Sequence, residues 1–330
     1  MMRSLTRVIL FVLCVIWSAD AVSKELSPRE IYEQASPGVV MVMGYSDGGG
    51  KGSGGTGSII QSDGLILTNA HVVIEEQTGK PFARLSVFLK PTRVTGESRR
   101  DLSRMVRAKV VAVSQPLDLA LLKLDGMNEA LPFVEVGESG QVRIGDRVVA
   151  IGHPEQGGLW TLTTGVISAE VDNFNGVTGK QVFQTETGLN RGNSGGPLLD
   201  GEGRMIGVNT AIARVASDGL PIASISFSLK SSVAVQWLRE QGVGIRGMPL
   251  PTGKMQPMID QPLAPSVQPR AKPTHPSQSD LSLKPTMKSE VLQPVPARPY
   301  NLDQLISDRA KAEADLDSMM SEMRGKMKGR

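Results

Sequence analysis

Between about residue 38 and residue 230 the chain is punctuated too often to build long helices. Short apolar runs alternate with clusters of Gly, Pro, Asp and Asn, the pattern of strands joined by tight turns. Strand candidates are 57–61, 65–69, 85–90, 119–124, 147–151, 161–170, 181–185, 204–210 and 222–229. The clearest alternation is Val106, Ala108, Val110 and Ala112, set off by Arg107, Lys109 and Val111, as expected of a half-buried strand. Many short strands without alternating helices point to an all-β barrel or sandwich. The stretch from Gly126 to Pro132 is a candidate connection between two halves. Helical periodicity emerges only near 231–241, where Val233, Trp237 and Leu238 share a face and Gly242 supplies a stop.

Both ends differ in character from this middle. Arg3 and Arg7 precede the apolar run Val8 to Trp17, and Ala19-Asp20-Ala21 follows. That is the layout of an export signal cleaved after Ala21; an uncleaved membrane anchor over residues 8–17 is the other reading. Ten apolar residues are short for a span, which needs about 20. The only cysteine, Cys14, lies within this run, so a mature chain holds no disulfide and no thiolate nucleophile. Residues 249–299 contain twelve prolines. Such a stretch buries too little apolar surface to offset its ordering entropy, so disorder with polyproline II tendency is expected. From Asn301 a capped helix with a broken Leu/Ile/Met stripe is expected. It is either a solvated tail or an oligomerising or partner-docking helix. The expected divisions are 1–21, 22–245, 246–300 and 301–330.

Charge excludes one class of function. The chain carries +3 overall, but residues 22–242 hold 21 basic and 23 acidic side chains. A near-neutral body lacks the strong basic field that nucleic-acid binding needs.

Three segments carry chemistry. They are Leu67-Thr68-Asn69-Ala70-His71-Val72-Val73, Leu117-Asp118-Leu119-Ala120-Leu121-Leu122-Lys123-Leu124 and Gly192-Asn193-Ser194-Gly195-Gly196-Pro197. The order is His, Asp, Ser, with gaps of 47 and 76 residues. A serine hydroxyl is a poor nucleophile at neutral pH and needs an adjacent base. An imidazole serves as that base when a carboxylate holds its other nitrogen. Glycines around Ser194 let backbone N–H groups converge beside the hydroxyl, as a developing oxyanion requires. Other motifs fail on context. Gly52 to Gly57 matches GxGxxG, but a strand pattern follows it where a dinucleotide site needs a helix. No metal-ligand spacing is present.

These motifs resemble those of trypsin-fold serine proteases, and specifically the bacterial HtrA/Deg group. The likeness rests on Thr68 to Val73, Asp118 to Leu124 and Asn190 to Pro197, and covers roughly residues 30–242. It implies two six-stranded barrels with a C-terminal helix and a site in the cleft between them. It implies His71 as general base, Asp118 as its orienter, Ser194 as nucleophile, and the amides of Gly192 and Ser194 as the oxyanion hole. In that fold Gly188, six residues before the nucleophile, lies at the base of the substrate pocket, and Ile212 lines its wall. Thr210 is assigned to the same region, placed to donate a hydrogen bond to Asp118. Gly188 in place of an Asp, with Ile212, implies cleavage after small aliphatic residues. The resemblance implies no cofactor or metal, unfolded or exposed polypeptides as substrates, and a periplasmic or secreted location. A homo-oligomer stays open, as does a peptide-binding chaperone or scaffold working through the tail.

The sequence departs from that group in several places. The proline-rich stretch begins where a PDZ domain is usual, and the loop Ser46 to Gly55 is short and glycine-rich. Phe227-Ser228-Leu229-Lys230 replaces a Phe-Ala-Ile-Pro-like run, and His153 stands where Asn is usual. Asn193 occupies the position where trypsin-like zymogens carry a buried Asp.

Overall fold

The computed structural model describes residues 25–46, 52–155, 157–215 and 221–245, with the side chains of 211–224 outside the description. The expected signal segment, the proline-rich stretch and the helix after Asn301 lie outside the described residues.

Twelve strands form two closed antiparallel barrels. The first is built from β1 (Val39–Tyr45), β2 (Gly52–Gln61), β3 (Leu65–Thr68), β4 (Arg84–Phe88), β5 (Met105–Ser114) and β6 (Leu119–Leu124). Its order is β1-β2-β3-β6-β5-β4, closed by pairing β4 with β1. The second uses β7 (Arg147–Gly152), β8 (Thr161–Val171), β9 (Val182–Thr185), β10 (Pro197–Leu199), β11 (Met205–Val215) and β12 (Pro221–Lys230). Its order is β10-β11-β12-β9-β8-β7, closed by pairing β7 with β10. Closure leaves neither sheet an open edge. Gly52 to Gly57, the GxGxxG match, runs as backbone of β2.

Four helices flank the barrels: α1 (Pro28–Ala35), α2 (Ala70–Val73), α3 (Ser98–Asp101) and α4 (Ser231–Glu240). α4 buries Ala234, Val235, Trp237 and Leu238 and stops at Gly242, whose φ of 77° suits glycine. Ile245, buried at 6% exposure, completes that contact. α1 is absent from the sequence expectation, although Ser27 and Glu30 cap it reciprocally.

β1 explains how the two barrels join. All seven of its residues are buried. Val40 and Val42 point into the first barrel with Ile59, Ile66 and Leu122. Val39, Met41, Met43 and Tyr45 point outward into a second core. There they join Ile151 and Trp160 of the other barrel and Trp237 of α4. The indole Nε1 of Trp160 donates to Val39 O at 2.8 Å, tying the shared core together with a polar bond.

Candidate active site

α2 is one turn long and follows β3 directly. It places His71 at the rim of the first barrel, with its side chain 49% exposed. Asp118 stands in the turn that enters β6, with φ of 60°. That left-handed conformation is uncommon for a residue with a side chain and needs support. The support is dense. Asn69 Nδ2 donates to Asp118 O at 2.7 Å, and Asp118 N donates to Gln115 O at 3.1 Å. The carboxylate faces His71: Nδ1 lies 2.9 Å from Oδ2 and 3.0 Å from Oδ1, and the His71 amide donates to Oδ1 at 3.1 Å. Thr210 Oγ1, on β11, donates to Oδ2 at 2.7 Å. Burial pushes the Asp118 carboxyl upward, but the hydrogen bonds and charge of His71 and the Thr210 hydroxyl outweigh it, leaving it below the usual range. An ionised Asp118 holds His71 through Nδ1 and leaves Nε2 to exchange a proton in the cleft.

Lys180 lies behind this pair. It is buried, and its Nζ donates to Pro116 O at 3.1 Å, two residues before Asp118. Burial lowers its ammonium from the ordinary lysine value, while the charge of Asp118 works the other way.

Ser194 comes from the second barrel, in the turn before β10. Gly192 has φ of 96°, and a Cβ there would sit 2.0 Å from His153 O, so only glycine fits. The turn is bonded peptide by peptide. Arg191 O accepts from Glu155 N at 2.5 Å, and Gly192 O accepts from Thr56 Oγ1 at 2.7 Å. Asn193 O accepts from Gly196 N at 3.0 Å, and Ser194 O accepts from Thr56 N at 2.8 Å. Two of these four bonds therefore come from a single residue of the first barrel.

His71, Gly192 and Ser194 border one cleft of about 250 Å³, with Ile74, Glu75, Glu76, Phe82 and Arg191 among its other walls. Residues 55–208 match the family model described as trypsin-like peptidase domain. Over those residues the chain carries a trypsin-like peptidase domain. A probable periplasmic serine endoprotease, DegP-like, of Chlamydia trachomatis is 38% identical over 194 residues. That match takes in 58% of this chain and 35% of the relative. A putative serine protease, HhoB, of Synechocystis is 40% identical over 173 residues, covering 51% of this chain and 36% of the relative. The solved HtrA-type protease AlgW with tripeptide superposes with a TM-score of 0.52 at 32% identity. It covers 66% of this chain and 65% of its own. The chain thus spans about a third of the length of the curated relatives it matches.

The trypsin-like domain, similar to those HtrA-type proteases, brings His71 and Asp118 into contact and sets Ser194 on the same cleft. Gly188 is exposed, and the space beside its Cα is open: a methyl group added there would find Thr163 Cγ2, at 4.0 Å, as its nearest neighbour. Ile212 lies in β11, opposite Ser226 of β12, and its side chain is outside the description. Thr210, assigned from the sequence to the substrate pocket, gives its hydroxyl to Asp118. Sequence reasoning missed Asn69, Thr56, His153 and Lys180 as parts of the site. Their partners stand between 49 and 136 residues away, so no local pattern gives their roles, even for Asn69, which lies within the Thr68 to Val73 motif, and His153, which stands out only as a departure.

Proposed function

We propose that the protein is a serine endopeptidase acting on exposed or unfolded polypeptides in the periplasm. The observation that carries this is the paired His71 and Asp118 sharing a cleft with Ser194 and Gly192. In this reading His71 takes the Ser194 proton through Nε2 as Oγ attacks the scissile carbonyl. His71 then returns the proton to the leaving amine, and water releases the acyl group by the same route. The oxyanion is met by the amides of Gly192 and Ser194. The trans peptide before Gly192 supports this, because its carbonyl is turned to Glu155 N and its N–H must point the other way. The open space at Gly188 supports entry of a substrate side chain, and a glycine there in place of a carboxylate favours small aliphatic residues over Lys or Arg. Relatives named as periplasmic support the location.

Activation by a newly cut N-terminus is not part of the reading, since Asn193 carries no charge to pair with it. The test is labelling with a fluorophosphonate, alongside hydrolysis of casein by wild type and Ser194→Ala. Labelling at Ser194 and a loss of about 10³-fold or more in the variant are expected. A folded variant retaining activity within tenfold of wild type overturns the assignment.

A further inference from the structure

We propose that Thr56 and His153 form a positioning pair that sets the peptide planes of the Gly192–Ser194 turn for the oxyanion step. The proposal rests on the peptidase reading above and assigns residues that sequence motifs leave without a role.

The starting point is a proton count at one hydroxyl. Thr56 Oγ1 lies 2.7 Å from Gly192 O, 3.0 Å from His153 Nδ1 and 3.2 Å from His153 N. A threonine hydroxyl has one proton to give and two lone pairs to receive. Gly192 O is a pure acceptor, so it takes the proton. The His153 amide is a pure donor, so it takes one lone pair. The remaining contact, with Nδ1, is a hydrogen bond only if Nδ1 carries a proton. His153 is therefore the neutral Nδ1–H tautomer, and the hydroxyl is held in one orientation by three partners.

The surroundings hold the imidazole in that state and place. His153 is 1% exposed. Burial drives its pKa from 6.5 down to about 3, so the ring stays neutral at any pH where the enzyme is expected to work. Its ring meets Trp160 edge-on at 4.7 Å between centroids, and Trp160 is fixed to Val39 O. The hydroxyl is thus anchored in the core shared by both barrels.

What it anchors is the middle plane of three. The plane before Gly192 is held by Glu155 N and the plane after Asn193 by Gly196 N, both neighbours in the second barrel. The plane between Gly192 and Asn193 is held by Thr56 on its carbonyl side, and by Asn190 O, 3.0 Å from Asn193 N, on the other. A glycine at φ 96° resists rotation of its own peptide less than any other residue. The amides of Gly192 and Ser194 belong to the two flanking planes, which meet the middle plane at the Cα atoms of Gly192 and Asn193, so a tilt of the middle plane that moves those atoms shifts both donors. A donor misplaced by even about 1 Å loses much of its effect on the developing charge.

Wild type, Thr56→Val and Thr56→Ser are compared on a short peptide substrate, with a peptidyl boronate as the tetrahedral mimic and the product peptide as the ground-state mimic. Thr56→Val is expected to lower kcat about 10- to 100-fold, with KM and product-peptide affinity within about twofold. Boronate affinity falls by the same factor as kcat, and Thr56→Ser restores both to within about threefold. If Thr56→Val destabilises the fold, Thr56→Ala is read by the same criteria. A second readout needs no activity: ¹⁵N chemical shifts of the His153 ring should report a protonated Nδ1 and an unprotonated Nε2. A kcat within about threefold of wild type overturns the proposal, as does a loss shared equally by KM, product affinity and thermal midpoint. An Nε2–H tautomer also overturns it. A wild type that neither hydrolyses nor labels removes the peptidase reading instead, and the tautomer still decides whether the relay exists.

Discussion

Asp118 and His153 show how two ionisable groups near one site are pushed toward opposite uses. Asp118 is held ionised by contacts from two segments, His71 and Thr210, whereas His153 is held neutral by burial. Thr210→Val removes one of the donors that keep Asp118 ionised. The expected result is a loss of roughly fivefold in kcat/KM, from about 1 kcal/mol for one hydrogen bond. The decline on acidification should also begin at higher pH, since the carboxyl regains protons sooner. His153 predicts a stability effect with a definite sign. Its folded value, about 3, lies below the ordinary 6.5, so between these pH values the unfolded chain binds a proton that the folded chain refuses. Stability therefore falls as pH drops from 6.5 toward 3, by about 1.4 kcal/mol per pH unit from this residue, and is unaffected by it above 6.5. Urea denaturation at pH 7, 5 and 4 should show a shallower decline in His153→Asn than in wild type. His71, Asp118 and Ser194 are legible in the sequence because each sits in a short local pattern. Thr56 is not, because its hydroxyl finds partners 97 and 136 residues further along the chain.

At the level of elements, the sequence is legible where one face of a strand meets water. β5 alternates Val106, Ala108, Val110 and Ala112 against exposed Arg107, Lys109 and Val111, and that period is visible in the letters. β1 has no such period. Its run Val39-Val40-Met41-Val42-Met43 is apolar throughout because one face fills a barrel and the other the shared core. α1 escapes the sequence reading for a different reason: it is only eight residues long, its buried face is the single pair Ile31 and Ala35, and its start is marked by its cap. Ser27 Oγ accepts from Glu30 N at 3.3 Å, and Glu30 Oε2 accepts from Ser27 N at 2.7 Å. Ser27→Ala should cost about 1 kcal/mol in chemical denaturation and leave peptide turnover unchanged. A loss well above about 2 kcal/mol would mean that Ser27 does more than cap this helix.

Across the whole molecule, the described body closes on itself at its C-terminal side. Gly244 O accepts from Gln61 Nε2 at 2.7 Å, Val243 N donates to Leu238 O at 2.9 Å, and Ile245 is buried. Truncation after Arg246 should therefore leave the thermal midpoint and peptidase turnover nearly unchanged. A midpoint many degrees lower would place residues beyond 246 inside the cooperative unit. An all-β body is legible from strand spacing, and its division into two barrels follows only from the family resemblance that the motifs carry; the manner of joining is not legible, since it depends on outward-facing residues of β1.

The division of labour between the barrels also bears on the moment before the protein is finished. His71, Asp118 and the Thr56 hydroxyl belong to the half made first, and Ser194 with its glycine turn belongs to the half made last. On the peptidase reading proposed above, a nascent chain with only its leading half folded would own a base and no nucleophile. A trailing half on its own owns a nucleophile whose turn lacks its outside brace. On that reading a complete site would exist only once the two halves have docked, and an unfinished copy would cut nothing.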